Sequence, residues 1–196
     1  VTPNARSYYE LLSFISDLLI RNPNPNLRKL LKLKVKVTTE KYISISAIPW
    51  MKIFRLNDGM DPFEAYFKIY LFSKGKKEFK NLLIGIDPGR RMGLAVIGDG
   101  EILDLRIFHE TREIVEYLRE LTRKCPARKY YVRVGNGVMG EEVANTLDLV
   151  LGGRGNVEIH LVDEERSSSG SFMHVILRWV HDKDLVSAIR IALCSH

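Results

Sequence analysis

Apolar and polar positions change their rhythm along the chain. Residues 7–21, "SYYELLSFISDLLIR", place apolar side chains at helical spacing and predict an amphipathic helix. "NPNPN" (22–26) stops it, because neither proline can continue the backbone ladder. "LKLKVKV" (31–37) alternates strictly between apolar residues and lysine, the period of a half-exposed strand, although leucine and lysine also favour helix. "YISISAI" (42–48) alternates likewise, and the two predict a hairpin closed through "TTEK". "DPFEAYFKIYLFSK" (61–74) opens with an aspartate cap and a proline at the first helical position, both marks of a helix start. The basic run "KGKKEFK" (74–80) reads as a linker.

From residue 82 the pattern changes. "LLIGID", "GLAVIGDG" and "EILDLRIF" predict three strands joined by turns short enough for an antiparallel meander. "TREIVEYLRELTRK" (111–124) follows as a helix with Ile114, Val115, Leu118 and Leu121 on one face. "KYYVRVG" (129–135) is a fourth strand, "EEVANTLDLVLGG" (141–153) a helix ending at glycine, and "NVEIHLVD" (156–163) a fifth strand. "DKDLVSAIRIALCSH" (182–196) is a final helix with two aspartates in its first turn. The order β-β-β-α-β-α-β-α predicts an α/β fold, a mixed five-stranded sheet covered by helices. A small basic α+β region, residues 1–80, precedes this 81–196 domain.

Charge sharpens that division. Residues 1–80 hold 15 Lys/Arg against 7 Asp/Glu, a net of +8, whereas residues 81–196 hold 15 against 17, a net of −2. A basic appendage on an acid-bearing domain suits a polyanionic partner. No stretch approaches the roughly 20 apolar residues of a membrane span. Asp17 interrupts the apolar segment 11–20, and no cleavage-like region follows, which argues against a signal peptide. Cys125 and Cys194 match no metal-ligand spacing and read as reduced thiols of a cytoplasmic protein.

Acids recur at element ends. Asp87 ends the first strand of the meander, Asp163, Glu164 and Glu165 follow the fifth, and Asp182 and Asp184 open the last helix. If the first and fifth strands run parallel in one sheet, both acid groups fall at the carboxyl edge where open sheets bind ligands. A last helix starting over that edge would complete a carboxylate cluster. Crowded carboxylates repel and need cations, and Mg2+ or Mn2+ suits oxygen ligands. Two such ions can clamp a phosphodiester during in-line displacement. Taken singly, Asp87 is an ordinary turn residue, "DEER" a solvated loop, and Asp182 and Asp184 helix caps.

Together these residues resemble a known family. "IGIDPGRRMGLAVIGDGEIL" is similar to the opening of ribonuclease H-like nucleases of the RuvC and YqgF (RuvX) groups, in which a strand ending G-I-D-x-G leads into a second strand and a tight turn. The order of elements over residues 82–196 matches that fold too. RuvC resolvases carry a catalytic glutamate on the fourth strand, where this chain has "YYVRVGNG" with Arg133 and no acid. YqgF-like proteins carry D-E-R-x-S/T after the fifth strand, which "LVDEERSSS" resembles, and the glycine-bearing loop and helix "VGNGVMGEEVANTL" is similar as well. The pattern is therefore closer to the YqgF type.

By that resemblance Asp87, Glu165 and Asp184 are the catalytic acids and hold Mg2+ or Mn2+, two ions in all. Glu164 stays a candidate ligand because one extra acid shifts the register, and Asp182 is either a further ligand or a cap. Arg90, Arg91, Arg166 and Lys183 are candidate nucleic-acid contacts. The implied activity is phosphodiester hydrolysis on structured nucleic acid, as in a Holliday junction resolvase or an RNA-processing nuclease. A homodimer would suit symmetric cleavage of branched DNA. Two other functions compete. One is a nucleic-acid-binding protein that kept the fold and lost catalysis, which the "DEER" register and Arg190 in place of an apolar residue favour. The other is an actin-like or sugar-kinase-like ATPase, whose phosphate loop also begins G-x-D-x-G but whose site needs two related domains.

Overall fold

The computed structural model describes residues 60–163 and 180–194, the strands Val35–Thr38 (β1) and Lys52–Arg55 (β2), and the helical residues Ser13 and Asp17. β1 and β2 pair in parallel, Val35 opposite Lys52 through Thr38 opposite Arg55. The expected strand at 31–37 is thus present in part, but it pairs with 52–55 rather than through a hairpin at "TTEK". Parallel strands need a crossover, which a four-residue turn cannot make. Positions 42–48 lie outside the described residues, as does most of the helix expected at 7–21.

The first helix fully described is α1, Pro62–Ser73. The Asp61 side chain caps it by accepting from the Phe63 and Glu64 amides at 3.0 and 3.2 Å, and Pro62 sits where its missing N–H costs nothing. The chain then runs through β3 (Phe79–Asp87), β4 (Met92–Gly98) and β5 (Glu101–Phe108). Next come α2 (Thr111–Lys124), β6 (Ala127–Gly135), α3 (Gly140–Leu151), β7 (Val157–Val162) and α4 (Lys183–Leu193). Five strands form one sheet in the order β5-β4-β3-β6-β7. β4 is antiparallel to both neighbours, while β3, β6 and β7 run parallel. This is the mixed α/β sheet expected from the sequence, with its three-strand meander and alternating helices and strands.

The segment 74–80 is a pinned corner rather than a linker. The β4–β5 turn needs positive φ at both central residues, 48° at Asp99 and 87° at Gly100, conformations that aspartate tolerates and glycine favours. From this turn Asp99 accepts from the Lys80 and Asn81 amides and from the Lys76 ammonium at 2.6 Å. Lys74 meets Glu101 beside it, also at 2.6 Å, and Phe79 already lies in the core as the first residue of β3.

Alternation along the strands divides the core into two layers. Ile84, Ile86, Leu94, Val132 and Val134 face α1, α2 and α3, where Tyr66, Phe67, Ile114, Leu118, Val143 and Leu147 meet them. On α2 the buried positions are Ile114, Tyr117, Leu118 and Leu121, so Tyr117 takes the inward place expected of Val115. Ala95, Ile97, Ile102 and Leu105 face the other way, against Ala188, Ile189 and Ala192 of α4. β4 is buried along its whole length because helices cover both its faces. Among the described residues no helix is long and apolar enough to cross a membrane.

Candidate functional site

β3 carries its glycine and its acid on the face that meets α4. A Cβ at Gly85 would lie 2.0 Å from the Ala188 carbonyl oxygen and 2.4 Å from the Ala192 amide nitrogen. A Cβ at Gly93 would lie 2.1 Å from the Asp184 carbonyl oxygen. The missing side chains let the helix backbone rest directly on β3 and β4. Gly93 is the register partner of Asp87, and directly opposed residues present Cβ to one face. The first turn of α4, with Asp184, is therefore laid beside the end of β3 that carries Asp87. A glycine inside each strand of a hairpin is a sequence signal of close backbone approach, and it would have located this contact.

Asp163 follows β7 at the same carboxyl edge, two strand spacings or about 10 Å from Asp87. Its carbonyl accepts from the Cys194 thiol at the far end of α4, 4.0 Å away. Ten residues of helix, about 15 Å, separate that end from Asp184. The described acids thus line the edge in the order Asp184, Asp87, Asp163. Glu164, Glu165 and Arg166 lie outside the described residues. Among the described residues no three His, Cys, Asp or Glu side chains converge as a metal-holding group.

The two aspartates of α4 differ in what they hold. Asp182 is the N-cap: its Oδ1 accepts from the amides of Asp184 and Leu185, at 3.0 and 3.4 Å. Its Oδ2 accepts from Arg91 Nη2 at 2.7 Å, while Arg91 Nη1 stands 3.1 Å from Asp184 Oδ2. One guanidinium thus spans both carboxylates, a contact that sequence did not signal. Arg90 and Lys183 are exposed beside this turn. Arg133, at the level of Gly85 on β6, donates through Nη1 to the Ala192 carbonyl and so caps the last turn of α4. Burial holds its guanidinium below the usual arginine range. Arg190 points to solvent, which explains why a helix packed on a sheet tolerates it there.

Arg91 also sets the titration of Asp182. Its hydrogen bond, outweighing the opposing effect of burial, keeps that carboxyl below the ordinary aspartate range. The contribution of the pair to stability is present above the unfolded value of about 3.9 and is lost as pH falls through the lower native value. In Arg91→Gln the native Asp182 pKa should rise toward the ordinary value, as read by carboxyl NMR. An identical titration in both proteins would show that the pair does not form in solution.

No family model and no curated protein matches the chain. Among solved structures, Thermus thermophilus RuvC in complex with a Holliday junction substrate is similar at 18% identity and a TM-score of 0.35, covering 58% of this chain and 91% of that one. Archaeoglobus fulgidus Pelota is similar at 16% identity and a TM-score of 0.33, covering 67% of this chain and 40% of that one. A PilM-PilN type IV pilus biogenesis complex follows at 14% identity and 0.32, covering 73% and 53%. At these scores none of the three likenesses carries an activity over to this chain.

Proposed function

We propose that the chain is a divalent-metal-dependent nuclease acting on structured nucleic acid, either branched DNA or an RNA precursor, in the cytoplasm. The observation that carries this reading is the seating of Asp184 against Gly93, the partner of Asp87. It sets two oxygen-donor residues at one end of a parallel strand array, the place where such sheets bind ligands. Asp87 and Asp184 suit Mg2+ or Mn2+ as hard ligands, with Glu165, or Glu164 in the adjacent register, completing the set in the YqgF-like manner. Asp182, occupied as a cap, serves the helix. Bound there, the metal would supply activation of a water and charge stabilisation at the leaving oxygen. Arg90, Arg91, Arg166 and Lys183 would neutralise backbone phosphates, and the basic region 1–80 would add sequence-independent affinity or a dimer contact.

A second reading, a nucleic-acid-binding protein without catalysis, is favoured by the Arg91 clamp and by Arg133 on β6. One substitution separates the two. Asp87→Asn should lower Mg2+- or Mn2+-dependent cleavage of branched DNA or structured RNA by at least about a hundredfold, since several kcal/mol of stabilisation pass through the metal. Nucleic-acid binding should be retained. Cleavage at equal rates by the two proteins would remove Asp87 from the chemistry. No cleavage by wild type, with binding intact, would establish the second reading.

A further inference from the structure

We propose that Arg91 is an exchangeable counter-ion of this edge, holding Asp184 until a divalent cation takes that carboxylate. The inference rests on the metal reading above and adds to it a built-in competitor. Three observations carry it. The Arg91 fork is divided between two carboxylates, with Nη2 on Asp182 at 2.7 Å and Nη1 on Asp184 at 3.1 Å. Asp182 is anchored by two backbone amides of α4 through its other oxygen, so it keeps Arg91 tethered when Asp184 lets go. The Arg91 side chain is 51% exposed, so its outer half can swing away without opening either core layer.

Electrostatics then sets the order of events. A guanidinium and a divalent ion on one carboxylate repel at contact range, so each weakens the other's hold on Asp184. The negative charge of the edge is therefore reduced in both states, by Arg91 at low metal and mainly by the ion at high metal. The clamp also keeps Asp182 and Asp184 from repelling one another while no ion is present. The consequence is a metal affinity lower than the carboxylates alone would give.

Manganese uptake by the whole chain, measured by calorimetry or electron paramagnetic resonance at fixed salt, tests this without reference to cleavage. Arg91→Gln should bind Mn2+ about tenfold tighter than wild type, a coupling of ordinary size. Arg91→Lys keeps the charge and loses the planar fork, so it should fall between the two. Adding Asp184→Asn to Arg91→Gln should abolish the gain. Equal or weaker binding by Arg91→Gln, where wild type does bind, overturns the exchange and leaves the metal reading standing. Wild-type affinity in Arg91→Lys, with tighter binding in Arg91→Gln, overturns the clamp in favour of simple charge. No uptake by wild type or Arg91→Gln removes the metal reading, and the exchange with it.

Discussion

Gly85→Ala should cost about 3 kcal/mol or more, at the upper end of overpacking effects. The new Cβ would meet the Ala188 carbonyl, the Ala192 amide and the Ala192 Cβ at 2.0, 2.4 and 2.8 Å. Two of these are helix backbone, which no rotamer change can move aside. α4 would have to lift from β3, loosening its layer of Ala188, Ile189 and Ala192 against Ala95, Ile97 and Leu105. For a chain of this length the melting temperature should fall by roughly 10 °C. Gly153→Ala is the control, because nothing lies within 4 Å of a Cβ there. Equal melting of Gly85→Ala and Gly153→Ala would mean that α4 does not ride on β3 at Gly85. The lifted helix would also carry Asp184 away from the Asp87 end of β3, so stability and the candidate site should fail together.

That coupling explains what was legible in the sequence and what was not. The strand and helix order from residue 82 could be read because each element has a clean period and a marked end, as with Asp99-Gly100 and Gly152. The parallel pairing of β3, β6 and β7 followed from helices intervening between strands. The start of α4 over the Asp87 end of β3 is the placement that element order suggested. Side-chain partners were not legible, because sequence separation hides them. Arg91 and Asp182 are distant in the chain, and their ion pair arises only when α4 starts over the β3–β4 loop. Arg133 looked like a missing acid, yet its partner is a helix carbonyl reached only after α4 has docked. The corner at 74–80 misled for a related reason. Its lysines resemble solvated linker until Asp99 and Glu101 arrive from the next hairpin.

The other large effect should come from a carboxylate that has no place in the site. Asp104 on β5 is fully buried, beside the irregularity in the β4–β5 ladder. Its Oδ1 accepts from the Leu105 amide at 2.9 Å, and its Oδ2 accepts from Arg106 Nε at 2.7 Å and from the Tyr117 hydroxyl at 2.9 Å. The Arg106 guanidinium in turn lies 4.5 Å from the Tyr117 ring centroid, so one acid orders a cation and an aromatic ring of α2. Asp104→Leu should cost about 3–5 kcal/mol, because it strands the Arg106 charge and the Tyr117 hydroxyl in the interior. Removing the cation as well, in Asp104→Leu with Arg106→Met, should recover part of that loss, since apolar replacement of a whole buried pair is close to neutral. Urea midpoints of the two single variants and the double variant give the coupling. A double variant whose loss equals the sum of the single losses would mean that Asp104 and Arg106 act independently. Asp104 would then matter mainly through Tyr117 and the β5 backbone.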